Sequence, residues 1–306
     1  MRNSERVLNS LAKHSCEPDY KFERLYRLLF NEQMYFVAYQ RIYAKEGNMT
    51  KGADNCNIDN MSISRIERLI ESLKDESYQP TPSKRVYIPK KNGKMRPLGI
   101  PTFNDKLLQE VVRMILEAIY EGSFDSNSHG FRPKRSCHTA LRQIQKTFNG
   151  ARWFIEGDIK GFFDNVNHSK LIRQLWTLGI QDKQLLFVIK RILKAPIRMP
   201  DGSTVYPSKG TPQGGIISPL LANVVLNELD HWVDSQWVEH PVANRYGMHR
   251  IIRTSEVFDK SKGYQKMRET NLKEMFIVRY ADDFRIFCRN REDAEKTMEA
   301  VTKWIT

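Results

Sequence analysis

The stretch FIVRYADDFRIFC, residues 276–288, is apolar and aromatic on both sides of two adjacent carboxylates, Asp282 and Asp283. Its patterning predicts a largely buried β-hairpin with the acids at the tip. Two touching negative charges are a poor choice for such a place, because one of them would tend to stay protonated. A divalent cation reverses that cost. Hard carboxylate oxygens suit Mg²⁺, which takes few protein ligands and fills its shell with water and substrate phosphates.

A third acid is available in FIEGDIKGFFDNVNH, where Asp158 ends a short apolar strand that can lie beside the hairpin in one sheet. A strand–Asp plus a hairpin–Asp-Asp would hold two ions about 3.5–4 Å apart, to activate a 3′-hydroxyl and stabilise a leaving pyrophosphate. An Ala-Asp-Asp alone would more often be an exposed turn. The apolar flanks and Asp158 argue against that here. Asp164 reads as a helix cap or structural acid.

Lys and Arg total 49 against 36 Asp and Glu, a formal net charge of +13 over 306 residues. Such an excess points to a polyanionic partner, with nucleic acid the default. Cys16, Cys56, Cys137 and Cys288 are too scattered for a zinc site or a disulfide framework, which fits a reducing, cytoplasmic setting. The N-terminus shows no secretory signal, and no apolar run is long enough for a membrane span.

Along the chain, residues 22–45 read as helical, with Phe22, Leu25, Leu28 and Leu29 on one side. Residues 64–76 read as an amphipathic helix with Ser64 and Glu67 as its capping box. Asn92-Gly93 predicts a hairpin between Arg85–Ile88 and Met95–Ile100. A helix opened by Asn104 or Asp105 follows and stops near Gly122. Ser136 caps the next, with Leu141, Ile144 and Phe148 inside. Residues 168–194 are mostly helical, and Met199–Tyr206 form a polar hairpin turning at Asp201-Gly202. Ser218 and Pro219 start a helix reaching about Val233. Residues 240–274 read as an irregular basic insertion. A last helix from Glu292 buries Ala294, Met298, Val301 and Ile305. The order from residue 152 suggests a split βαβ unit with an antiparallel sheet covered on one face. That motif wants one more strand after the last helix.

Five blocks carry a resemblance. RPLGIP (96–101), SHGFRPKRSCHTAL (128–141), DIKGFFD (158–164), GTPQGGIISPLLANVVLNELD (210–230) and YADD (280–283) stand in the order found in reverse transcriptases. Together they resemble the reverse transcriptase–maturases encoded within bacterial group II introns, over nearly the whole chain. The resemblance implies an α+β fold: the fingers and palm of a right-hand polymerase. The fingers with an N-terminal helical extension would be residues 1–151. The palm would be residues 152–306, a ferredoxin-like split βαβ with an insertion at about 234–274. No thumb follows YADD, which gives the expectation of a fingers–palm fragment, inactive alone and prone to form a homodimer through the surface a thumb would cover.

By the same resemblance, the chain would copy intron RNA into cDNA from a DNA primer and dNTPs, and bind group II intron RNA to assist splicing. Asp158 and Asp282 would be the main Mg²⁺ ligands, with Asp283 assisting and Mn²⁺ a substitute metal. Lys94 and Arg96 match residues that clamp a triphosphate. Phe163 matches a bulky gate against a ribose 2′-hydroxyl, and Gln213 with Gly214 the turn beside the incoming nucleotide. Lys90 and Lys91 would serve the template, and Arg132 and Arg135 template phosphate or the nucleotide. The structural alternatives are a charged strand edge for the hairpin cations, a core aromatic for Phe163, a helix-entry loop for Gly214 and an arginine paired to an acid for Arg132. The competing functions are a splicing cofactor without polymerase activity and a retron or diversity-generating reverse transcriptase.

Overall fold

The computed structural model describes residues 3–305 apart from 18, 44, 46, 91, 92, 149, 253 and 254. From the N-terminus run α1 (Ser4–His14), α2 (Glu32–Tyr43), α3 (Ile63–Lys74), β1 (Ser83–Pro89), β2 (Met95–Ile100), α4 (Phe103–Tyr120), α5 (Cys137–Thr147) and β3 (Trp153–Asp158). Next come α6 (Phe162–Asn165), α7 (His168–Thr177), α8 (Lys183–Leu193), β4 (Ile197–Arg198), β5 (Thr204–Val205) and α9 (Ser218–Gln236). The chain ends with α10 (Pro241–Arg245), β6 (Met248–Ile252), β7 (Ser255–Asp259), α11 (Ser261–Arg268), β8 (Met275–Tyr280), β9 (Asp283–Cys288) and α12 (Arg291–Ile305). No helix among the described residues is long and apolar enough to cross a membrane.

The chain divides into two compact units, each assembled from two stretches. The first is Met1–Phe124 with Gly161–Val225, the second Asp125–Lys160 with Leu226–Thr306. In the first unit, α4 is buried nearly all round and becomes the central helix, with Leu107, Leu108, Val111, Val112, Ile115 and Leu116 in the core and α1 and α2 packed on it. Its sheet runs β2-β1-β4-β5, so the polar hairpin at Asp201-Gly202 joins the β1–β2 hairpin through a parallel β1–β4 pairing.

The second unit holds the opening segment. Its sheet runs β3-β9-β8 and is antiparallel throughout. One face, with Ile277, Phe284, Ile286 and Cys288, packs against Leu229 and Val233 of α9, Trp237 just after it, Met267 of α11 and Ala294 and Val301 of α12. The other face is not bare as the sequence suggested. Ala140 of α5 and Phe148 cover Phe276, Val278 and Phe287 there. Before α5, the loop at Asn127–Gly130 runs along β8, with Ser128 bridged to Arg279.

Several local expectations are corrected. α1 gives the N-terminal helical extension its bounds, and Asn3 caps it by accepting from the Glu5 and Arg6 amides. The helix expected over 22–45 breaks into a 3₁₀ turn, Tyr26–Phe30, and α2, because Asn31 turns extended and its side chain accepts from the Gln33 amide. Ser62, not Ser64, caps α3. Thr102 rather than Asn104 or Asp105 caps α4. The Ser218 hydroxyl donates to the Pro212 carbonyl instead of capping α9. Leu141 is 63% exposed and Met298 53%, so both lie outside the core. Residues 240–274 carry α10, α11 and the β6–β7 hairpin rather than irregular chain.

Two positions yield tests. A Cβ on Gly130 would lie 2.1 Å from the Ala281 backbone nitrogen, so Gly130→Ala must push the loop off the hairpin. Chemical denaturation should show a loss of roughly 1–3 kcal/mol, the usual cost of overpacking; an unchanged midpoint would disprove the close approach. Asp234 is buried, and that burial, followed by the charge of Asp125, pushes its carboxyl up to about 8. The folded chain therefore keeps a proton that the unfolded chain releases near 3.8, and unfolding free energy falls as pH rises through that window. The stability of Asp234→Asn relative to the parent should therefore grow from pH 4 to pH 8. A difference in melting temperature that stays constant over this range would contradict the shift.

Candidate active site

The β3–β9 register sets Asp158 directly opposite Asp283, and the β8–β9 register sets Tyr280 opposite Asp283. Directly opposed residues share a face with Cβ atoms about 4.5–5.5 Å apart. Asp158 and Asp283 are therefore neighbours at the end of the sheet, and both are exposed. Asp282 occupies the two-residue turn Ala281-Asp282 and is half-buried. The cross-strand neighbour of Asp158 is thus Asp283, while Asp282 approaches from the turn. Burial, then the charges of Asp282 and Asp158, raise the Asp283 carboxyl above the usual range, with Arg285 opposing. Arg285 in turn pairs with Glu156 across the strands.

This mutual repulsion is what a bound cation would relieve. Among the described residues, no three His, Cys, Asp or Glu side chains converge tightly enough to hold an ion by themselves. The donor set fits a hard cation that takes one or two carboxylates and completes its shell with substrate oxygens and water.

Behind the acids stands a group that the sequence reading missed. Arg279 and Asp230 are both fully buried. Arg279 Nε donates to both Asp230 oxygens at 2.8 and 3.0 Å, and Nη2 to Oδ2 at 2.5 Å. Nη1 donates to the Ala281 carbonyl at 2.8 Å and Nη2 to Ser128 Oγ at 2.8 Å. Phase could have revealed it. Arg279 shares the core-facing parity of Ile277, and an arginine there needs an acid, which the apolar helix carrying LNELD supplies. Gly157 also serves the site, lying opposite Phe284. An added Cβ would sit 2.1 Å from that ring, so only glycine lets the aromatic lie beside Asp158's strand.

The residues matched to nucleotide binding fall in the first unit. Gln213 Nε2 donates to Asp164 Oδ2 at 2.8 Å, and the Gln213 carbonyl accepts from Gly99 of β2 at 2.6 Å. Gly214 has φ +99° and would place a Cβ 2.6 Å from the Gly99 carbonyl, so packing on β2 already requires a glycine there. Phe163 is half-buried, edge-on to Phe162. Lys90, Lys94 and Arg96 are exposed around the β1–β2 turn. Lys91 and Asn92 lie outside the described residues. Arg132 is buried and its Nη1 donates to the Asp125 and Ser128 carbonyls at 2.5 and 2.9 Å, so it holds the loop in shape. Arg135 Nη1 donates to the Ser126 carbonyl at 2.6 Å.

A profile of the family described as reverse transcriptase (RNA-dependent DNA polymerase) matches residues 88–306. The group II intron-encoded protein LtrA of Lactococcus lactis subsp. cremoris is 44% identical over all of this chain and 55% of its own length. Protein YkfC of Escherichia coli is 35% identical over 88% of this chain and 71% of its own. A protein of 91 kDa in the cob intron of Schizosaccharomyces pombe is 43% identical over 76% of this chain and 29% of its own. This chain thus spans about half the length of LtrA. Among solved structures, a chain of a partial Cas6-RT-Cas1–Cas2 complex aligns over 91% of this chain and 40% of its own, with TM-score 0.47 and 23% identity; so loose a superposition adds nothing to the assignment. With the acidic hairpin, its partner strand and the profile in agreement, the chain belongs to the reverse transcriptase (RNA-dependent DNA polymerase) family, and its relatives include group II intron-encoded proteins.

Proposed function

We propose that this chain carries the nucleotidyl-transfer centre of a group II intron reverse transcriptase, an RNA-directed DNA polymerase that copies intron RNA into cDNA and binds the same RNA to assist splicing. The observation that carries the reading is the pairing of Asp158 with Asp283, with Asp282 in the adjoining turn. A chain that only bound RNA would have no physical use for two exposed carboxylates set opposite each other at a strand end with a third in the adjoining turn. The intron assignment is supported by the 44% identity to a group II intron-encoded protein along the whole chain. Binding of structured RNA is supported by the net charge of +13, which favours phosphate contacts over base reading. A nuclear intron maturase of Arabidopsis thaliana, 29% identical over 66% of this chain, supports the splicing role.

The three acids would hold two divalent ions, Mg²⁺ by preference. When bound, these ions supply the charge neutralisation that a primer hydroxyl and a leaving pyrophosphate need. The chain's own residues do the positioning. Asp158, Asp282 and Asp283 present oxygens from a rigid sheet end. Lys94 and Arg96 meet the triphosphate as exposed cations. Gln213, its amide held by Asp164, lies along the nucleotide. Phe163 excludes a ribose 2′-hydroxyl by bulk. Lys90 and Arg135 attract the template strand, and Arg132 shapes the loop that carries Arg135. In this reading the second unit's sheet is a split βαβ palm and the β1–β2 hairpin belongs to the fingers.

Primer extension on an RNA template with dNTPs and Mg²⁺ tests the assignment. The protein carried on through the thumb region should extend the primer, and Asp282→Asn in it should lower the rate by at least about 100-fold, as expected when transition-state charge goes unneutralised. Phe163→Ala should retain extension and begin to accept ribonucleotides. Tight, salt-sensitive intron RNA binding with no extension by the parent would instead leave a splicing cofactor.

A further inference from the structure

The turn that presents Asp282 is strained and held from behind. Ala281 has φ +60°, a left-handed conformation that disfavours any residue with a Cβ. A two-residue turn holds that shape cheaply with Gly or Asn, and here neither is present. Something outside the turn must hold it. The Ala281 carbonyl is bound by Arg279 Nη1 at 2.8 Å, and Gly130 closes against the Ala281 amide from the other side. Arg279 is itself immobile. Asp230 takes Nε and Nη2, Ser128 Oγ takes Nη2, and the Arg279 backbone bonds the Asn127 carbonyl and the His129 amide at 2.9 and 2.8 Å.

We propose that Arg279, locked by Asp230, is a positioning residue for the reaction: it clamps the Ala281 carbonyl and so fixes where the Asp282 and Asp283 carboxylates stand relative to Asp158. The proposal rests on the polymerase reading for its kinetic consequence but not for its geometry. The clamp touches neither nucleotide nor primer. Its loss should leave nucleotide binding intact and slow the chemical step, because displacing carboxylates by about 1 Å can cost on the order of 100-fold. It should also weaken cation binding at the acids.

Two variants separate positioning from folding. Arg279→Lys keeps a buried positive charge beside Asp230, but one ammonium cannot serve Asp230, Ser128 and the Ala281 carbonyl together. Arg279→Met with Asp230→Leu removes both charges, a change that buried ion pairs often tolerate, and deletes the clamp outright. Each is compared with the parent by thermal melting, by single-nucleotide incorporation and by Mn²⁺ titration followed through the electron paramagnetic resonance of free Mn²⁺. The expected result is a cooperative melt, a KM for dNTP within about twofold of the parent, kcat lower by about 10- to 100-fold, and Mn²⁺ affinity reduced several-fold. Parental kcat and Mn²⁺ affinity in either folded variant would overturn the proposal. So would loss of the cooperative melt in both, which would assign the pair to global stability. Should the parent itself fail to extend a primer, the polymerase reading falls. The clamp is then judged by Mn²⁺ affinity alone, where a loss supports it and equality removes it.

Discussion

Everything at the candidate site depends on the pairing of β3 with β9. The two strands come from distant parts of the chain, and their register sets Asp158 opposite Asp283. Side chains alternate faces along a strand, so a slip of one residue would send Asp158 to the face packed on α9 and α12. Burial on the side of α9 and α12 opposes that slip. Ile155 and Gly157 face Ile286 and Phe284 over the core of α9 and α12, while Phe154 faces Phe287 on the α5 side. The acids are located by hydrophobic complementarity a few residues away rather than by any attraction of their own, since their charges repel.

A buried Arg279–Asp230 pair is weak evidence for stability. Desolvating both ions costs about as much as their attraction returns, and apolar replacements often do as well. Geometry explains its presence better. The guanidinium is planar with five donors, and here its bonds fall on Asp230, Ser128 and the carbonyl of the hairpin turn. Gly130 completes the arrangement by letting a backbone pass where no Cβ could. The same loop is shaped by Arg132, whose side chain bonds the Asp125 and Ser128 carbonyls. One polar framework therefore connects α9, the 125–130 loop and β8.

What the sequence made legible follows from how local each signal is. The hairpin, its acidic tip and Asp158's strand were readable because period-two alternation and a two-residue turn are properties of neighbouring residues. α3, α4, α5 and α12 were readable for the same reason, from apolar spacing. Errors came where the deciding partner is remote. Leu141 and Met298 fit an apolar stripe yet face outward, since α5 and α12 each meet the sheet over a narrower contact than the stripe implies. The β6–β7 hairpin was hidden in a polar segment because its exposed strands show little apolar alternation; Ile251 is 82% exposed. Arg132 stood open between a phosphate contact and a structural arginine, because charge is visible in a sequence and burial is not.

The charge distribution carries a last consequence. The chain is strongly basic, but the point where chemistry would occur is a cluster of carboxylates, where burial and then the charges of Asp282 and Asp158 hold the Asp283 carboxyl above its ordinary range. A polyanion drawn in by the overall field meets a local repulsion at that point. Cations on the acids would remove the repulsion, and phosphate oxygens would complete the shell that those acids leave open. Each ligand then makes the site better for the other, and by linkage the gain must be mutual.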